Sequence, residues 1–202
     1  MRYLMTFSYD GTNYNGYQKQ PNLITIQSVI ENILTKMNSN KTVSIHASGR
    51  TDSGVHANNQ KAHFDLDNNI ETERLKHSLN SLLPKDIYVK DIKEVDDEFH
   101  ARFNVVKKEY IYKINIGEYN PVEVNHILQH SQNLNIDKMK EALKLLEGEH
   151  DFSSFTKIQD EKESYIRTIY ETSLTLENNI ITIKFVGNGF LRYMVRNMVG
   201  LL

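Results

Sequence analysis

Nine consecutive residues, Gly49-Arg50-Thr51-Asp52-Ser53-Gly54-Val55-His56-Ala57, set a single carboxylate, Asp52, between two glycines, beside an arginine and a hydroxyl. They follow Val43-Ser44-Ile45-His46-Ala47, an alternating run that reads as a strand. A strand that breaks at a glycine and displays an aspartate on a tight loop can hold a reactive carboxylate at a sheet edge. Arg50 and the loop N–H groups can keep that carboxylate ionised. Asp-Ser-Gly is also a common turn, so spacing alone leaves both readings open.

Two further positions carry chemistry of interest. Tyr110 lies in Lys108-Glu109-Tyr110-Ile111-Tyr112, an alternating run, where a half-buried strand tyrosine is the plain reading. Arg196 lies in a helical pattern whose other marked residues are apolar, so its charge needs a partner, water or a helix edge from which to reach solvent. His46, His56 and His63 are close in sequence, but no pair has HxxxH spacing on a clear helix and there is no cysteine, so no metal is expected.

The bulk composition narrows the class. A chain of 202 residues can form one large domain or two small ones with a real core. The absence of cysteine excludes a disulfide framework and a thiolate nucleophile, and fits a reducing, cytoplasmic setting. There is no apolar run of about 18 residues, so no membrane span is expected. The formal net charge of −2 disfavours a protein that is basic throughout; nucleic-acid binding would need a local basic surface instead.

The elements that must position these residues follow from periodicity. Arg2 to Tyr9 reads as a strand, and 10–22 as a polar, aromatic loop. Ile26, Val29, Ile30, Ile33, Leu34 and Met37 share one helical face, with Thr25 as cap. Strands are expected near 42–47, 58–66 and 87–95, with a helix over 72–83 ending at Pro84. This is the split βαβ order of ferredoxin-like units. Beyond Asn104 the pattern gives a strand around Tyr110, a long polar connection over 117–135, and a helix capped by Asp137 and stopped at Gly148. A hairpin over 166–176 and 180–186, turning at Asn178-Asn179, and a final helix from Phe190 complete it. The expected fold is therefore α+β: two ferredoxin-like subdomains, 1–103 and 104–202, with abutting antiparallel sheets and an active-site cleft between them.

The Asp52 loop closely resembles the signature of the tRNA pseudouridine synthase A family, and further stretches resemble other motifs of that family in the expected order. These are Tyr9-Asp10-Gly11-Thr12 with Gly16-Tyr17-Gln18, then Leu82 to Ile87, Phe99-His100-Ala101-Arg102-Phe103, Glu149-His150-Asp151-Phe152, and Gly189 through Gly200. The resemblance implies an isomerase that converts uridine to pseudouridine in the anticodon stem-loop of tRNA, around positions 38 to 40. It implies a homodimer with tRNA as partner and no cofactor or metal.

By the same resemblance, Asp52 is the catalytic nucleophile, Tyr110 stacks on the target uracil, Arg196 pairs with Asp52, and Arg50 fills the gap left by the flipped nucleotide. Lys108 stands where the family usually has arginine; it keeps the charge but loses the bidentate fork for a phosphate. Lys107, Arg167 and Arg192 are further candidates for phosphate contacts. The resemblance implies that the family chain continues some tens of residues beyond the Val195-Arg196-Asn197-Met198-Val199-Gly200 motif, so either a C-terminal truncation or a short natural form is expected here. Two rival readings are an RNA-binding module without turnover and a metal-dependent hydrolase built on His46, His56, His63 and Asp52.

Overall fold

The computed structural model describes residues 1–157 and 164–202. The chain divides into two compact units, Met1–Val105 and Val106–Leu202. Both mix helices with a mainly antiparallel sheet, so the fold is mixed α/β.

In the first unit, β1 (Arg2–Tyr9), α1 (Ile26–Met37), β2 (His46–Ala47), β3 (Ala57–Asp65), α2 (Thr72–Leu82) and β4 (Ile87–Val95) follow one another. The sheet order is β2-β3-β1-β4 and every pairing is antiparallel. Helix α1 begins where expected: the Thr25 and Ser28 side chains each accept from the other's backbone N–H, a reciprocal cap. Helix α2 is capped by Glu71, whose carboxylate accepts from the N–H groups of Glu73 and Arg74. It stops at Leu82, because the residue before Pro84 is pushed to an extended conformation. Tyr3, Met5, Phe7, Phe64, Val89 and the α1 and α2 apolar faces form the core.

The strand expected over 42–47 is reduced to its last two residues. The backbone N–H of Val43 donates to Thr35 Oγ1 and that of Ile45 to Glu31 Oε1, both on α1. These donors are satisfied by the helix rather than by a ladder, while the Val43 and Ile45 side chains are still buried. The apolar alternation was therefore a burial signal without a strand.

The second unit contains β5 (Lys108–Asn115), β6 (Leu128–Gln129), α3 (Ile136–Lys144), β7 (Gly148–Asp151), a 3-10 turn (Ser153–Phe155), β8 (Ile166–Glu177), β9 (Ile180–Gly187) and α4 (Met194–Leu201). The order is β6-β5-β9-β8-β7, with β5 and β6 parallel and the other pairs antiparallel. Asn178 and Asn179, both at positive φ, make the two-residue turn between β8 and β9. Ile181, Ile183, Phe185, Leu143, Met194 and Met198 lie at the centre of its core.

Three local readings differ from the sequence. Helix α3 is capped by Asn135, which accepts from Lys138 N–H, and Asp137 lies within its first turn. Gly148, at φ +100°, opens β7 instead of closing the helix, which has already ended at Lys144. Helix α4 begins at Met194, four residues later than the apolar pattern, because Tyr193 is left-handed at φ 65°.

Candidate active site

Asp52 sits half-buried on the loop between β2 and β3, and a second loop, residues 10–18, is packed against it. The entry of the Asp52 loop is fixed by Gln60 on β3. Its amide donates to the Gly49 carbonyl at 2.9 Å, and its oxygen accepts from Ser48 Oγ at 2.8 Å. The residue before Asp52 is held twice: the Thr51 carbonyl accepts from Tyr17 N–H at 3.1 Å, and the Thr51 hydroxyl meets the Tyr9 hydroxyl at 2.8 Å. After Asp52, Ser53 Oγ donates to the Tyr14 carbonyl at 3.1 Å, and Val55 N–H donates to the Asp52 carbonyl at 3.2 Å. Gly54, at φ +76°, completes the turn.

The two loops approach closely because glycine faces the contact. A Cβ on Gly16, itself at φ +84°, would lie 3.0 Å from the Thr51 carbonyl oxygen and 3.2 Å from the Ser53 nitrogen. A Cβ on Gly11 would collide with the backbone of Val55. The 10–18 loop is in turn tied to the start of α1, where Ile26 and Gln27 donate to the Gly16 and Tyr17 carbonyls. A buried helix terminus and a buried strand, β1, thus fix the backbone that carries Asp52.

Three tyrosines anchor this loop from below. Tyr9, Tyr14 and Tyr17 are all buried. Burial pushes the Tyr9 hydroxyl up in pKa, so it stays protonated. Burial and then the adjoining Asp86 carboxylate, which accepts from Tyr14 at 2.5 Å, push the Tyr14 hydroxyl up as well. Burial also pushes the Tyr17 hydroxyl well up, and that hydroxyl is the one buried side-chain polar atom among the described residues without a hydrogen-bond partner.

Arg50 is exposed on the same loop. In the second unit, Lys108 and Tyr110 are half-buried on β5, paired with Gly187 and Phe185 of β9. The Tyr110 ring meets Phe190 edge-on, with centroids 4.9 Å apart. Arg196 lies on the exposed side of α4, opposite Met194 and Met198. A charged residue in this apolar pattern is thus accommodated at the helix edge. Arg167 is half-buried, and burial lowers its pKa; Lys107 and Arg192 are exposed.

The histidines do not gather as their sequence spacing suggests. His46 and His63 stack across β2 and β3 with centroids 4.9 Å apart, and His100 joins them at 4.6 Å from His63. His56 is instead at the Asp52 loop, its Nδ1 3.1 Å from Gly11 N–H and 3.0 Å from Asp10 Oδ1. One ring nitrogen can serve only one of these, accepting from the first or donating to the second.

Residues 5–104 and 142–202 match the family model described as tRNA pseudouridine synthase. The chain belongs to the tRNA pseudouridine synthase family. It is 42% identical over 196 residues to tRNA pseudouridine synthase A of Geobacillus sp. (strain WCH70), covering 96% of this chain and 79% of that protein. It is 46% identical over 203 residues to tRNA pseudouridine synthase A of Listeria monocytogenes serotype 4b (strain CLIP80459), covering 100% of this chain and 82% of that protein. The corresponding protein of Pseudothermotoga lettingae is 45% identical over 203 residues, with the same coverage.

The tRNA pseudouridine synthase match includes the Asp52 loop with Arg50, the 10–18 loop clamped to it, and Arg196 on α4. Lys108 and Tyr110 fall between its two matched segments. The sequence reading picked out Asp52 but not its supports. Tyr9, Gly11 and Gly16 stood out only as parts of a motif resembling the family, with nothing in the sequence to join them to Asp52, and Gln60 carried no signal.

Proposed function

We propose that this protein isomerises uridine to pseudouridine in tRNA with Asp52 as the nucleophile. The observation that carries the proposal is the family match over a loop in which one carboxylate is held by supports on both sides. In the reaction the N1–C1′ bond breaks, the freed uracil turns, and a C5–C1′ bond forms. The C5 proton leaves and N1 regains one, so atoms and electrons balance without an added reagent. Asp52 acts as a carboxylate, by attack on C1′ or by removal of a ribose proton.

In this account Tyr110 stacks on the uracil and Arg50 occupies the place of the extruded base, since unstacking costs a few kcal/mol that a filler offsets; the role of Arg196 toward the Asp52 carboxylate rests on the family resemblance alone. Lys108 contacts a phosphate through a point charge. Targets in the anticodon stem-loop around positions 38 to 40, a homodimeric state and a cytoplasmic setting rest on the family resemblance. Among the described residues no helix is long and apolar enough to cross a membrane. We read the first unit as ferredoxin-like, supported by its βαββαβ element order and its β2-β3-β1-β4 sheet.

The test is release of tritium from tRNA labelled at C5 of uridine, run with and without a chelator, followed by mapping of the modified positions. Chelator-insensitive release confined to the anticodon stem-loop is expected. Binding without release would leave an RNA-binding module, and chelator-sensitive activity would point to the hydrolase reading.

A further inference from the structure

The carboxylate is set by its backbone, and the residue that precedes it is held at two points. Thr51 has its carbonyl bound by Tyr17 N–H and its hydroxyl bound by Tyr9. Tyr9 is the last residue of β1, the strand flanked by β3 and β4, and its ring is buried beside those of Phe7 and Tyr17. Its hydroxyl also interacts with the side chain of Gln60, which itself holds Ser48 and Gly49. A rigid strand end is thus joined by one hydroxyl–hydroxyl contact to the residue next to Asp52.

Alternative purposes for these groups fit less well. A purely apolar anchor would need only the ring, and phenylalanine would supply it. The hydroxyl buried at this depth is retained together with two polar partners, which is costly unless the geometry it fixes matters. Thr51 is only half-buried, so its hydroxyl could reach water if Tyr9 did not engage it.

We infer that the Tyr9–Thr51 hydroxyl pair is a positioning device that sets the orientation of Asp52 toward its substrate; this rests on Asp52 being the nucleophile. The pair acts on the chemical step and not on tRNA capture, because the Tyr9 hydroxyl is buried and the Thr51 hydroxyl is turned to it. A misplacement near 1 Å in a reacting group costs on the order of a hundredfold in rate, so a partly released loop costs about ten- to a hundredfold.

The experiment measures kcat and KM for tRNA, and the melting temperature, in Tyr9→Phe, Thr51→Val, Thr51→Ser, the Tyr9→Phe/Thr51→Val double variant and Asp52→Asn. Tyr9→Phe and Thr51→Val should each lower kcat about tenfold or more with KM within about twofold. The double variant should be no slower than the slower single, because both remove the same contact. Thr51→Ser, which keeps the hydroxyl, should restore most of kcat. Wild-type kcat in Tyr9→Phe or Thr51→Val, multiplying losses in the double variant, or Thr51→Ser as slow as Thr51→Val would each overturn the inference. Asp52→Asn separates the two levels: if it is inactive while Tyr9→Phe is fully active, only the positioning role fails; if it is fully active, the nucleophile reading itself fails. Should Tyr9→Phe fail to fold, the valine and serine variants at Thr51 decide the question.

Discussion

A Cβ built on Gly11 runs into the carbonyl oxygen of Val55, three residues past Asp52. The 10–18 loop and the Asp52 loop therefore touch backbone to backbone, a contact that no other side chain permits. Gly11→Ala should force the loops apart, lower kcat by about tenfold or more, and cost about 1–3 kcal/mol of stability. Gly54 provides the comparison, since it has positive φ but open space around it. Gly54→Ala should cost only about 1–2 kcal/mol of backbone strain and less activity. Steady-state kinetics and thermal melts of the two variants check this; equal losses would show that close approach is not what Gly11 supplies.

His63 makes stability depend on acid. Its pKa is lowered from 6.5 to about 4, first by burial and then by the neighbouring His100, His46 and Arg2, with Asp65 opposing. Its Nδ1 accepts from Ala101 N–H at 3.2 Å, which protonation at that nitrogen would abolish. In the unfolded chain the same group takes up its proton near pH 6.5. The folded state then binds fewer protons below that pH, so His63's contribution is fully present above about pH 6.5 and is lost as pH falls toward 4. Melting curves across this window should fall more steeply for wild type than for His63→Gln. Parallel curves would remove His63 as a source of the dependence.

Tyr17 carries a buried hydroxyl with no partner among the described residues. An unpaired polar group at that depth costs about 1–3 kcal/mol. Tyr17→Phe should leave the melting temperature unchanged or raise it, and should leave the Thr51 carbonyl bond intact, because that bond comes from the Tyr17 backbone. A clear drop in melting temperature would mean that the hydroxyl is engaged after all.

Binding of tRNA should weaken steeply with salt despite the net charge of −2. Each neutralised phosphate contributes a slope of roughly −0.7 to −0.9 in log K against log salt. Lys108→Gln should reduce that slope by about one unit at most. A slope near zero for the wild type would remove phosphate contacts from the account.

Much of this was legible in the sequence, for physical reasons that differ by residue. The apolar face of α1 and the alternation over Tyr110 to Tyr112 in β5 were clear because burial there follows the helical and the two-residue period. The Asn178-Asn179 turn was clear because few residue pairs tolerate two positive φ values. The short β2 was misread because Val43 and Ile45 are buried like strand residues while their backbones bond to Thr35 and Glu31 of α1. Strands β6 and β7 were missed because two- and four-residue strands show no period, and Gly148 reads equally as a helix stop. Asp52 stood out by its neighbours in sequence. Its supports, Tyr9, Gly11, Gly16 and Gln60, come from distant positions and are joined to it only by folding.

The most direct test of the central claim is C5-tritium release by Asp52→Asn alongside tRNA binding by the same protein. Asparagine keeps the shape of the side chain and removes its nucleophilic charge. The account predicts tritium release below detection, tRNA affinity close to wild type, and an unchanged melting temperature. Release at the wild-type rate from the folded Asp52→Asn protein would contradict it.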